Sequence, residues 1–145
     1  MFHPNIDVVP GVRVDIVCDL EREQIPFHDN HATKIKAIHS LQHMSRDGMR
    51  HVLNECYRIL NLGGEFFAML GDLDFILERL REDGLYDGWL SCLFHGPAIE
   101  EPLGYHRWAY TFDMIAGELR EVGFRDIQHC GFYNRWEFKV LAVKR

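Results

Sequence analysis

The feature that most constrains this chain is a short apolar helix that runs into a glycine pair and then directly into an apolar strand. Residues 58–64 read RILNLGG and residues 65–70 read EFFAML. Met49, Val52, Leu53, Cys56, Ile59 and Leu60 recur at helical spacing over residues 46–60, and Gly63 and Gly64 supply the stop. The strand that follows is almost wholly apolar, as strands are when helices cover both faces of a sheet. A helix-to-strand joint of this kind belongs to an α/β sheet.

The rest of the chain extends the same alternation. Residues 5–9 read as a short strand closed by Pro10-Gly11, and residues 12–18 (VRVDIVC) as a β-branched strand ending near Asp19. A polar loop, EREQIPFHDNH, leads to a third strand over residues 33–39. After the EFFAML strand, Asp72 caps a helix over residues 72–83. Residues 84–105 show no clear period and are long for a connector, so they read as a substrate-side insertion or lid. Thr111 caps a further helix with Met114, Ile115 and Leu119 inward and Gly123 as its stop. Residues 126–130 and 137–143 form a final antiparallel strand pair across the FYNRW bend. Strands alternating with helices predict a mostly parallel sheet with helices on both faces.

A chain of 145 residues reads as one domain over residues 1–145, long enough to bury about 70% of its unfolded surface. Its net charge of -6 and its 16 scattered basic residues argue against nucleic acid as a partner, because that affinity rests on clustered Lys and Arg. The longest apolar runs, such as FFAML, are too short to cross a bilayer, and MFHPNIDVVPG lacks the pattern of a signal peptide. Cys18, Cys56, Cys92 and Cys130 never form a C-x-x-C pair, and each lies beside apolar residues. Free, buried thiols in a reducing, cytoplasmic setting are the expectation. His39 and His43 are spaced i, i+4, with His28 and His31 nearby, but no Cys or acidic residue completes a zinc spacing, so no metal is expected.

Taken in order, these signals resemble class I S-adenosylmethionine-dependent methyltransferases over nearly the whole chain. The matching marks are Asp7 in NIDVV, Asp19 in DIVCDL, IPFHDN, IHSLQH, the RILNLGG turn and a late Gly123-Phe124. The segment HRWAYTF, residues 106–112, is similar to small methyltransferases associated with sugar and cell-surface chemistry. The resemblance implies an α/β, Rossmann-like methyltransferase sheet with S-adenosylmethionine at the carboxyl ends of its strands. It implies Asp7 on the ribose hydroxyls, which a carboxylate accepts from together. It implies Asp19 and Leu20 beside the adenine, and Ile38, His39 and Ser40 under the methionine part. The implied partner is a small-molecule or sugar methyl acceptor.

His106 is then the candidate general base, since imidazole suits neutral pH, with Arg107, Trp108 and Tyr110 as candidate substrate contacts. The bland alternative packs Trp108 and Tyr110 on the sheet end with His106 exposed. Trp89, Phe94 and Trp108 suit an acceptor pocket, the core, or a dimer contact.

The sequence departs from the family in three places. Gln42 stands where Glu is usual, and Asn61-Leu62 replaces the common Lys-Pro. Only MFHPNI precedes Asp7, so the glycine-rich loop, with the first strand and helix around it, has no counterpart. An N-terminally truncated sheet is the expectation, with two strand edges left open between residues 5–9 and 33–39. Without the N–H groups of that loop, the chain alone is expected to bind cofactor weakly or not at all. The expected outcomes are a rearranged sheet or one completed by a homodimer, or a chain that is a fragment of a longer gene product; the alternative function is a non-catalytic remnant serving as a binding or assembly module.

Overall fold

The structure is a computed structural model and describes residues 4–11, 13–84, 87–94 and 105–145. Strands β1 (Ile6–Asp7) and β2 (Ile16–Val17) form a parallel pair, Ile6 opposite Ile16 and Asp7 opposite Val17. Both are far shorter than the sequence pattern suggests. No described strand lies on the other edge of β1 to extend its ladder, and Val8, Val9 and Val17 are exposed.

The second sheet has four strands in the order β3-β4-β6-β5. Strand β3 (Ala32–Ile38) runs parallel to β4 (Leu60–Gly71), whereas β6 (Glu137–Lys144) runs antiparallel to both β4 and β5 (Phe124–Asn134). The sheet is therefore mixed rather than mostly parallel. Among the described residues no strand pairs with the free edges of β1 and β3.

Helix α1 (Arg46–Ile59) is built as its period predicts, with Met49, Val52, Leu53, Cys56 and Ile59 buried. Ser45 caps it, its hydroxyl accepting from the Gly48 N–H at 3.0 Å. The far end differs from expectation. The helix stops at Ile59, and Leu60, fully buried and extended, already begins β4. Ala32 pairs with Leu60 but Lys34 with Glu65, so residues 61–64 form a bulge inside the strand. Both glycines serve that bulge. Gly63 takes φ +79°, and a Cβ on Gly64 would lie 2.8 Å from the Asn61 carbonyl and 3.3 Å from that of Ala32. Lys144 closes the joint from β6: its Nζ donates to the carbonyls of Tyr57 (2.7 Å) and Leu60 (2.8 Å), placing a cation at the helix's negative end.

Helix α2 (Leu73–Asp83) is capped by Asp72, whose carboxylate accepts from the Asp74 N–H at 3.1 Å. The region read as irregular contains a helix, α3 (Asp87–Phe94). Its sequence, DGWLSCLF, is too short to show a helical period. Contacts to α2 hold it: the Trp89 indole donates to Asp83 at 3.1 Å and its ring meets Phe75 edge-on at 5.7 Å. Residues 95–104 of the expected lid lie outside the described residues. Helix α4 (Phe112–Val122) has the expected Thr111 cap and Gly123 end, with Ile115 and Leu119 fully buried. Met114, expected inward, is exposed, because it falls on the turn opposite the Ile115–Leu119 stripe.

The core lies between α1, α4 and one face of the second sheet: Phe66, Ala68 and Leu70 of β4 and Phe138, Val140 and Ala142 of β6 pack with both helices. Alternation sends Phe67, Leu141 and Val143 to the other face, where they are half-buried, and Ile38 of β3 is exposed. The expectation of helices on both faces thus fails among the described residues. The expectation of four buried thiols fails as well. Cys18 and Cys56 are buried, but Cys92 is half-buried and Cys130 is exposed on the edge strand β5.

Candidate functional site

Parallel strands align their peptide dipoles and end together, so polar residues collected at their carboxyl ends are the natural place for a ligand. Asp7 ends β1, and its backbone carbonyl accepts from the Cys18 N–H at 2.9 Å, which sets Asp19 just beyond the end of the neighbouring β2. Asp7 is exposed, with one carboxylate oxygen on the Val9 N–H at 3.1 Å. Asp19 is half-buried; one oxygen accepts from the Glu21 N–H at 3.1 Å and the other from Arg22 at 3.4 Å. Leu20 packs against the core.

At the end of β3 the chain turns sharply. His39 adopts φ +52°, a costly conformation for a residue with a Cβ, while its N–H donates to the Met69 carbonyl at 3.2 Å. Its Nδ1 lies 3.4 Å from the carboxylate of Glu137, a buried group also held by the Asn134 side chain. Ser40 follows, half-buried, its carbonyl accepting from the His43 N–H at 3.1 Å. His39 and His43 are therefore not on one helical face: one ends a strand and the other lies in the 3-10 turn Leu41–His43.

Residues 106–110 cross this end of the sheet. Gln42, in the 3-10 turn, accepts from the N–H groups of Arg107 (2.7 Å) and Trp108 (3.1 Å) through its backbone carbonyl. Tyr110 accepts from the Leu73 N–H at 3.0 Å, which ties the segment to the start of α2. The His106 ring places Nδ1 3.0 Å from the Cys92 carbonyl and meets His43 edge-on at 4.8 Å. A carbonyl only accepts, so this contact calls for a proton on Nδ1. Arg107 is half-exposed and donates to Glu21 at 2.7 Å, and the Arg46 guanidinium lies over Trp108, 5.9 Å from the ring centre. Tyr110 is buried rather than presented to solvent, and burial pushes its phenol well above the usual range.

Three of the four expected substrate-side residues meet in one place, whereas Arg107 turns to Glu21. His106, Trp108 and Tyr110 line a common cavity with Gln42. The proposed cofactor residues lie on two strand pairs that share no strand, with Glu21 the link between Asp19 and Arg107. Glu21 also accepts from the Ser45 N–H at 3.1 Å and from the Ser45 hydroxyl. Sequence reasoning missed Glu21, Ser45 and Glu137, and treated Gln42 only as a departure from a pattern. Ser45, directly before an apolar helical run, was a legible cap. The other three carry no local signal.

A methyltransferase-domain family model matches residues 7–68. No curated protein sequence matches the chain. Solved structures do. Human N-acetylserotonin methyltransferase, in complex with S-adenosylmethionine, superposes with a TM-score of 0.59 at 20% identity, covering 94% of this chain and 35% of its own. A S-adenosylmethionine-dependent methyltransferase from Thermotoga maritima gives 0.61 at 14% identity, covering 92% and 65%. One from Archaeoglobus fulgidus gives 0.65 at 11% identity, covering 96% and 74%. The chain spans 35% and 65% of the lengths of the first two. The chain is therefore similar to methyltransferases in two respects, the sequence of residues 7–68 and the fold of its greater part.

Proposed function

We propose that this chain carries the adenosine side and the acceptor side of a methyltransferase site, for methyl transfer to a small-molecule or sugar acceptor once the cofactor site is completed. The observation that supports it is the pairing of Asp7 and Asp19 at adjacent parallel strand ends, with His106 and Trp108 on the segment that Glu21 links to them. The donor set suits the group. Asp7 keeps a carboxylate oxygen available for the ribose hydroxyls, and Asp19 is fixed by its own turn beside Leu20. Ile38, His39 and Ser40 border the methionine part. S-adenosylmethionine, when bound, supplies a methyl group on a sulfonium, so the protein's task is mainly to align the acceptor. Arg107 and Trp108 orient that acceptor, with His106 as its candidate base.

Among the described residues no glycine-rich loop adds N–H groups to this set, and the edges of β1 and β3 stand open. Completion by a strand from a second copy, or from sequence beyond these residues, restores both. Calorimetric titration with S-adenosylhomocysteine, with the mass followed by light scattering, tests this. The expected result is weak binding by the monomer, and micromolar binding by the monomer would sink it. The second reading, a non-catalytic module of the same fold, is favoured by the same open edges. It requires that a dimer, too, fail to bind.

A further inference from the structure

We propose that Glu137 is a positioning residue that holds the His39 imidazole as a proton acceptor at the carboxyl end of β3, in addition to His106. Its use in methyl transfer rests on the methyltransferase reading; the positioned ring does not.

Among the described residues the buried carboxylates are Glu55 and Glu137. Arg58 matches Glu55 at 2.8 Å. Glu137 has no Lys or Arg within ion-pair reach among the described residues. Its partners are the Asn134 amide, which donates at 2.5 Å, and His39, whose Nδ1 lies 3.4 Å away. A buried carboxylate is costly unless paired, and a neutral amide does not offset its charge. Cys92 of α3 lies within reach of the same charge, but burial and then Glu137 push its thiol up, so it stays neutral. The imidazole is the group placed to compensate Glu137. The fold builds this contact from three strands. Strand β4 lies between β3 and β6, and its residue opposite Glu137 is Gly71, which has no side chain to stand in the way. His39 reaches across from a backbone at φ +52°, the kind of strained conformation that collects at functional sites. The pair has one closed and one open end: the Glu137 side chain is 5% exposed and that of His39 39%.

A carboxylate beside one imidazole nitrogen does two things. It favours the ring form with the proton on Nδ1, and its attraction grows when the ring takes up a second proton at Nε2. Because Glu137 is buried, that attraction is screened less than it would be in water. His39 stands between Ile38 and Ser40, beside which the methionine part of the cofactor is proposed to lie. Methyl transfer to an O–H or N–H group forms a bond from its lone pair to the methyl carbon. The C–S bonding pair stays on sulfur, and the acceptor releases one proton. His39 Nε2 takes that proton, with the positive ring held against Glu137.

The test is ring-nitrogen NMR of the isotope-labelled full chain at pH near 8, above the ordinary histidine range, with exposed His28 as the reference for a free imidazole. The expected result is a neutral His39 with its proton on Nδ1 and a lone pair on Nε2, and a different balance at His28. Glu137→Gln should lower the His39 preference for Nδ1–H about fivefold, the difference between a hydrogen bond to a charged and to a neutral acceptor. Diethyl pyrocarbonate, which acylates a bare ring nitrogen, should mark His39 more slowly in that variant by a similar factor and His28 at an unchanged rate, read by mass spectrometry. A His39 that carries its proton on Nε2, or that stays doubly protonated at this pH, overturns the proposal in the unmodified chain, so no variant need fold. So does a folded Glu137→Gln chain in which both readouts are unchanged. S-adenosylhomocysteine added to the same sample reads the methyltransferase assignment separately. Binding away from His39 removes the use in methyl transfer and leaves the positioned ring standing; binding beside a His39 ring that behaves like His28 does the reverse.

Discussion

Alanine in place of a helical glycine ordinarily stabilises a protein, by about 0.5–1 kcal/mol. Gly48→Ala should do the opposite here. A Cβ at Gly48 would lie 2.2 Å from Glu21 Oε2 and 2.5 Å from its Cγ, so the whole side chain must leave. Glu21 would then lose the Ser45 N–H at 3.1 Å, the Ser45 hydroxyl and Arg107 at 2.7 Å. Arg107 is half-exposed, which limits that arm to about 0–1 kcal/mol. The two Ser45 arms, to a carboxylate at a helix N-terminus, add about 1.5–3 kcal/mol. Against the propensity gain, the net loss is about 1–3 kcal/mol. Urea unfolding followed by circular dichroism measures it as a lower midpoint at unchanged slope. In a Glu21→Ala background the clash is gone, and Gly48→Ala should then become neutral or stabilising. A Gly48→Ala chain as stable as the unmodified one, or an equal penalty in both backgrounds, refutes the reasoning.

Two further outcomes follow from buried charge and buried sulfur. Arg58 holds the Glu55 carboxyl below its ordinary value of 4.5, chiefly through a side-chain hydrogen bond, and Arg50 does the same for Glu118. A depressed folded pKa contributes stability that is present above the unfolded value and lost as pH falls through the folded one. Stability should therefore drop as pH falls below 4.5, and Glu55→Gln should flatten that slope in denaturant titrations; an unchanged slope contradicts the assignment. Burial pushes the Cys56 thiol up to about 12, whereas Cys130 is exposed. At pH near 8 a disulfide reagent should modify Cys130 first and Cys56 only on unfolding, read by mass spectrometry. Equal rates would contradict the packing of α1.

Features written in local periodicity were legible in the sequence. The α1 stripe, the Asp72 and Thr111 caps, the Gly123 end and the β5–β6 pair follow from spacing and capping chemistry. The errors came where tertiary context overrides local pattern. RILNLGG reads as a helix stop, yet its glycines serve a bulge that exists because β3 lies alongside. Helix α3 is only eight residues long and mostly apolar, too short for a period to be read. β5 runs to Asn134 rather than Cys130 because β6 pairs with it through Phe132 and Asn134. At the site, Asp7, Asp19 and His106 were singled out through family order. Glu21 with Arg107 and Gln42 with Tyr110 were not, since each pair is distant in the chain and meets only in the fold.

The measurement that bears most directly on the account is an NMR map of S-adenosylhomocysteine on the labelled chain. The account predicts weak binding whose shifts centre on Asp7, Asp19, Leu20 and residues 38–40. Shifts centred elsewhere would contradict the placement of the cofactor at these strand ends.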